Sequence, residues 1–113
     1  MEKAGTLYIL LARLTDEGQK LLQRDPERLN TISRQILVPG AMLMARYAVL
    51  GQYDFIMMVE AQDHGAVARL SLELGALGGL HIETLSAIPL GLLTEPQDEK
   101  AAPRPSYEPE PAT

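Results

Sequence analysis

The sequence predicts an α+β domain with the element order β-α-β-β-α-β, folded on the ferredoxin-like plan: a four-stranded antiparallel sheet with two helices on one face. Three observations carry that expectation. Two segments, Thr6 to Leu14 and Tyr53 to Ala61, are mainly apolar at both alternating sets of positions, as strands covered on two faces are. Each is followed by a segment with apolar residues at helical spacing. Each of those helices leads into another strand, so the chain reads as two related β-α-β halves.

The first strand sets Leu7, Ile9 and Leu11 on one side and Tyr8, Leu10, Ala12 and Leu14 on the other. Thr15 then offers an N-cap, with Asp16 and Glu17 suited to the positive end of a helix. Leu21 and Leu22 are the apolar pair of this first piece. Asp25-Pro26 restarts the helix, with Asp25 as cap and Pro26 at the first helical position. The result is either a short helix followed by a longer one or a single kinked helix. Leu29, Ile32, Ile36 and Leu37 make its buried stripe, and Pro39-Gly40 ends it.

The second strand runs from Ala41 to Leu50, with Met42, Met44, Ala48 and Leu50 opposite Leu43, Ala45, Tyr47 and Val49. Gly51-Gln52 reads as a two-residue hairpin connection into the third strand, which starts at Tyr53. Asp63 caps the second helix, whose stripe is Val67, Leu70, Leu74 and Leu77, and Gly78-Gly79 stops it. The last strand, Leu80 to Ile88, alternates more cleanly than the others and suits an edge. The first and third strands therefore take the centre of the sheet.

From Glu95 to Thr113 there is no Leu, Ile, Val, Phe or Met, and prolines recur among charges. Such a segment cannot bury enough apolar surface to offset its conformational entropy. The chain thus divides into a folded domain at 1–93 and a disordered Pro-rich acidic tail at 94–113. Leu90 to Leu93 is an anchor or a partner-docking segment, and the tail offers a site for a protein partner.

Composition narrows the function. A net charge of -5 with ten scattered Lys and Arg argues against a nucleic-acid binder. The chain has no cysteine, so thiolate chemistry and disulfides are out. No apolar run approaches the roughly 18–20 residues that cross a bilayer, and the first residues do not read as a signal peptide. A cytoplasmic protein is expected, with neither membrane nor nucleic acid as partner. Two helices cover only one face of a four-stranded sheet. The other, rich in Leu, Ile, Met and Ala, calls for a partner, and a second copy packed sheet to sheet is the simplest. The alternative is that Leu90 to Leu93 folds back over that face.

Leu50-Gly51-Gln52-Tyr53-Asp54-Phe55 resembles the signature of the GYD domain family, named for a Gly, a Tyr and an Asp. The likeness runs from about Thr6 to Pro89 and takes in Thr15-Asp16-Glu17-Gly18 and Leu74-Gly75-Ala76-Leu77-Gly78. It implies a fold of the dimeric α+β barrel type and does not imply an activity.

Gly51, Tyr53 and Asp54 are the first candidate site. A phenol and a carboxylate at a strand start can bind a polar ligand group or assist proton transfer. Neighbouring strand residues point to opposite faces, so the two do not converge on one atom. Turn chemistry accounts for the same three: Gly51 supplies the turn, Asp54 accepts backbone N–H bonds or pairs with Arg46, and Tyr53 packs. Arg46, with Arg13, is an anion-site candidate. His81 and Glu83 share a strand face, yet two ligands without a third do not make a metal site. No metal and no cofactor is expected, and His64, after a helix cap, is expected to be solvated. The leading function is a non-catalytic, self-associating binding or assembly module that senses a small ligand. The alternative is a small dimeric-barrel enzyme for an apolar or aromatic substrate, using Tyr53, Asp54, His81 or Arg46.

Overall fold

The structure, a computed structural model, describes residues 5–94. Its elements are β1 (Thr6–Leu14), α1 (Asp16–Arg24), α2 (Arg28–Gln35), β2 (Ala41–Ala48), β3 (Phe55–Ala61), α3 (His64–Gly78), β4 (Leu80–Ala87) and α4 (Leu90–Thr94). The sheet order is β2-β3-β1-β4, and every pairing is antiparallel. The two strands that are apolar on both sides hold the centre, as expected.

Local chemistry starts and stops the helices. The Thr15 hydroxyl accepts from the Gly18 N–H at 2.9 Å, and Asp16 and Glu17 sit at the positive end of α1. Asp63 caps α3 by accepting from the Ala66 N–H at 2.8 Å. Gly79, at φ 68, takes the left-handed conformation that closes α3. The first helical region is two helices, but Pro26 does not open the second. Asp25 to Glu27 forms a turn, with Asp25 accepting from the Arg28 N–H, and α2 begins only at Arg28.

The core lies between the sheet and the helices. Tyr8, Leu10 and Ala12 of β1 and Met57, Val59 and Ala61 of β3 pack against Ile32, Val38, Ala66, Val67, Leu70 and Leu74. Two residues of the expected stripes fall outside it. Leu37 is 85% exposed, because α2 ends at Gln35 and the chain turns so that Val38 is buried in its place. Leu77 is 46% exposed on the last turn of α3, where Gly78 faces the core instead.

Two further expectations are corrected. The register of β2 shifts between Leu43 and Ala45, leaving Met44 without a partner on β3. This bulge reverses the alternation that follows it. Ala45 and Tyr47 therefore share the open face with Met42, and Ala48 turns to the helix side. The β2–β3 connection is also longer than two residues: the strands end at Ala48 and start again at Phe55, and the Val49 N–H donates to the Asp54 carbonyl at 2.9 Å. Gly51 sits in that loop at φ 144, a conformation that favours glycine, with open space around it. The 95–113 part of the expected tail lies outside the described residues. Among the described residues no helix is long and apolar enough to cross a membrane.

Gly18 of α1 and Gly79 approach each other closely, backbone to backbone. A Cβ on Gly18 would run into the Gly79 carbonyl oxygen, and both backbones leave no way to yield. Gly18→Ala is expected to cost about 2 kcal/mol or more, lowering Tm by roughly 10 °C in a thermal melt. An unchanged Tm would show that the contact can open without cost.

Candidate functional site

The Gly51, Tyr53, Asp54 cluster is divided between two tasks. Asp54 is half-buried, and its carboxylate accepts from the Leu14 N–H at 2.9 Å. Its own N–H donates to the Ala12 carbonyl at 2.8 Å. The β2–β3 loop is thereby tied to the end of β1. One residue on, the Thr15 N–H donates to the Gly79 carbonyl at 2.9 Å, and the Thr15 hydroxyl donates to the same oxygen at 3.1 Å. Chain segments far apart in sequence thus meet where β1 passes into α1.

Tyr53 points elsewhere. Its hydroxyl donates to Glu83 of β4 at 2.9 Å, and the Arg13 guanidinium lies 5.3 Å from its ring centroid. Glu83 as acceptor, with its negative charge and some desolvation, raises the Tyr53 pKa above the ordinary tyrosine value; Arg13 opposes this. The phenol is consequently a poorer proton donor than a free tyrosine. This trio, with Tyr53 half-buried and Arg13 and Glu83 exposed, sits at one end of the open sheet face, where Arg13 and His81 are paired across β1 and β4.

That open face is broad and apolar among the described residues. Leu7, Ile9 and Leu11 of β1 lie across from Ile56 and Met58 of β3, with Leu85 and Ala87 of β4 alongside and Met42, Ala45 and Tyr47 of β2 at the far edge. Met42 is 61% and Tyr47 56% exposed. Of the α4 segment considered as its cover, Leu90 and Leu93 are exposed.

Two concavities lie on the helix side. One, about 800 Å³, runs between α3 and β4 and is mostly apolar, with Tyr8, His64, Ser71, Thr84 and His81 among its polar groups. The other, about 400 Å³, lies between α2 and the β2–β3 pair and holds Arg46 beside Met57. The first is bordered by His81, which the register sets on the open-face side with Arg13, and the second holds Arg46; neither includes Tyr53 or Asp54. The convergence that an enzyme built on those four residues needs is not found among the described concavities. No group of three His, Asp or Glu suited to a metal forms among the described residues.

Sequence reasoning missed one pair. His64 was expected to be solvated; its ring is exposed on one side, but Nδ1 lies 2.6 Å from the Tyr8 hydroxyl in a hydrogen bond, and the rings meet edge to face. The buried Tyr8 needed a partner for its hydroxyl, and that requirement was the available signal.

The sheet order, the all-antiparallel pairing and the one-sided helix layer define a ferredoxin-like α+β domain with a bare sheet face. The chain belongs to the GYD domain family, whose model matches residues 8–95. A Thermus thermophilus protein named glutamine synthetase and cystathionine beta-lyase binding protein is 42% identical over 84 residues, covering 74% of this chain and 88% of that one. Among solved structures, a feast or famine regulatory protein from M. tuberculosis, complexed with L-methionine, superposes with a TM-score of 0.56 at 11% identity. MtbAldR gives 0.55 at 18%. Each match covers 74% of this chain and about half of the other, so this chain spans about half the length of those structures. At such identities the likeness carries the fold alone.

Two measurements check the site. Asp54→Ala strands the Leu14 N–H and is expected to cost about 1–3 kcal/mol, read as a lower denaturation midpoint. Asp54→Asn, which keeps an acceptor, should cost less; equal stability of all three proteins would remove the bracing role. Ultraviolet titration, with Tyr53→Phe as the subtraction, should place the Tyr53 midpoint above the ordinary tyrosine range, and Glu83→Gln should lower it. The fold favours the neutral phenol, so its stabilisation is present below that range and lost as pH rises through the folded pKa.

Proposed function

We propose that this chain is a non-catalytic, cytoplasmic binding module that self-associates through its open sheet face and engages enzymes as protein partners. The carrying observation is that face: an apolar surface across all four strands, on the side of the sheet away from α1, α2 and α3. A second copy packed face to face about a two-fold covers it with the same surface, as isologous dimers do. The printed name of the Thermus thermophilus relative, a binding protein for glutamine synthetase and cystathionine beta-lyase, supports enzymes as the partner class. We assign Gly51 and Asp54 to bracing the loop. Arg46 and His81 are then the candidate residues left for a small ligand, and they line separate concavities. The Pro-rich tail is assigned to tethering a protein partner.

Native mass spectrometry tests both parts. The purified chain is expected at an even multiple of its mass, and Met58→Lys, which puts a charge in the centre of the open face, should halve it. A monomer at micromolar concentration, or an assembly indifferent to Met58→Lys, would overturn the face interaction. Added glutamine synthetase from the same organism should take up the chain as a mass increment. Its absence with both enzymes named for the relative would remove them as partners.

A further inference from the structure

The bulge in β2 re-aims one side chain. Met42 lies on the open face, and unbroken alternation would put Arg46 there with it. The register shift between Leu43 and Ala45 turns Arg46 to the helix side instead. There it pairs across the strands with Met57, a core residue 4% exposed. An arginine thereby stands at a position whose neighbours are apolar. Arg13, the other arginine on a strand, rests against the Tyr53 ring. Arg46 has no hydrogen bond, ion pair or ring contact among the described residues.

Arg46 borders the 400 Å³ concavity between α2 and the β2–β3 pair. Met57 and Leu74, both buried, and the half-buried Leu29 and Phe55 line it. No Asp or Glu does. The Ser33 hydroxyl and the Asn30 amide at its margin are turned to partners of their own, the Leu29 carbonyl at 2.6 Å and Glu27 at 3.2 Å. A ligand therefore finds an apolar interior and one uncommitted cation at the exposed rim. Small-ligand sites are built this way, apolar in their lining with few placed polar groups.

We propose that this concavity binds a small monocarboxylate with an apolar body, the carboxylate on the Arg46 guanidinium and the body over Met57 and Leu74. The site rests on the small-ligand reading of Arg46 given above and does not use the open sheet face. A guanidinium presents parallel N–H donors that match the two oxygens of a carboxylate. With no second cation in the lining, it balances one negative charge. A phosphate monoester, which carries nearly two, would keep an uncompensated charge against apolar walls. A cationic head has no acid to meet. An inward arginine on an edge strand also discourages strand addition, but that role needs only a charge, and a lysine would serve it as well.

Methionine methyl resonances locate the ligand in the full chain. Met57 lines the concavity, whereas Met42 and Met58 lie on the open face, so labelled methyl groups tell one site from the other. The probes are octanoate and 4-phenylbutyrate, one aliphatic body and one aromatic. At least one is expected to shift the Met57 methyl in a saturable way and to leave Met42 and Met58 in place. Octylamine, with the same chain and the opposite charge, and acetate, with the same head and no chain, should bind at least about tenfold more weakly. Arg46→Gln should weaken the carboxylate by about tenfold, and Arg46→Lys by less, with Tm unchanged because Arg46 is exposed and unpaired. Met58→Lys should leave the binding as it was, so the sheet-face association and this site fail separately. Octylamine matching octanoate at Met57, or binding indifferent to Arg46→Gln, would overturn the carboxylate chemistry while keeping a ligand there. No Met57 shift with any probe at millimolar concentration, or shifts confined to Met42 and Met58, would overturn the site itself.

Discussion

The fold depends on the junction at the end of β1. Within four residues the backbone gives the Leu14 N–H to the Asp54 carboxylate, the Thr15 N–H to the Gly79 carbonyl, and receives the Asp54 N–H at Ala12. Gly18 and Gly79 lack the side chains that would hold these segments apart. The β2–β3 loop, the α3–β4 turn and the start of α1 are fixed to one another there. Both halves of the β-α-β repeat are thereby locked in one orientation, and the two sheet faces inherit their shape from it.

The architecture was legible because burial leaves a direct trace in sequence. Leu7 to Leu11 and Ile56 to Val59 are apolar on successive residues, which fits central strands with one face in the core and an apolar opposite face. The β2 bulge was not legible. Met42, Leu43, Met44 and Ala45 are apolar in either register, so no polar residue marks where the alternation reverses. The long β2–β3 connection was hidden by Gly51-Gln52, whose composition suits a tight hairpin, while the added hydrogen bonds come from β1 and cannot be seen locally.

The site was legible in its residues more than in its wiring. Tyr53 and Asp54 were expected to diverge as strand neighbours; they lie in the loop before β3 and reach different partners, Glu83 for one and the Leu14 N–H for the other. What β1 contributes to both was not legible. Arg13 and Leu14 are adjacent in sequence yet serve Tyr53 and Asp54 through register, which depends on the whole sheet. His64 was misjudged for the same reason: its cap position suggested solvent, and only the tertiary placement of Tyr8 supplied its bond.

The placement of the first and last strands side by side has a kinetic consequence. β1 is the central strand, yet one of its two neighbours is β4, the last to be made, and its closing bonds reach forward to Asp54 and Gly79. Until the chain beyond Gly79 is present, β1 has an unpaired edge and the junction cannot close. Loop closure over such separations must precede the contacts that reward it. During synthesis β1 can pair with β3 as soon as that strand is made, but its other edge and the junction stay open until β4 arrives.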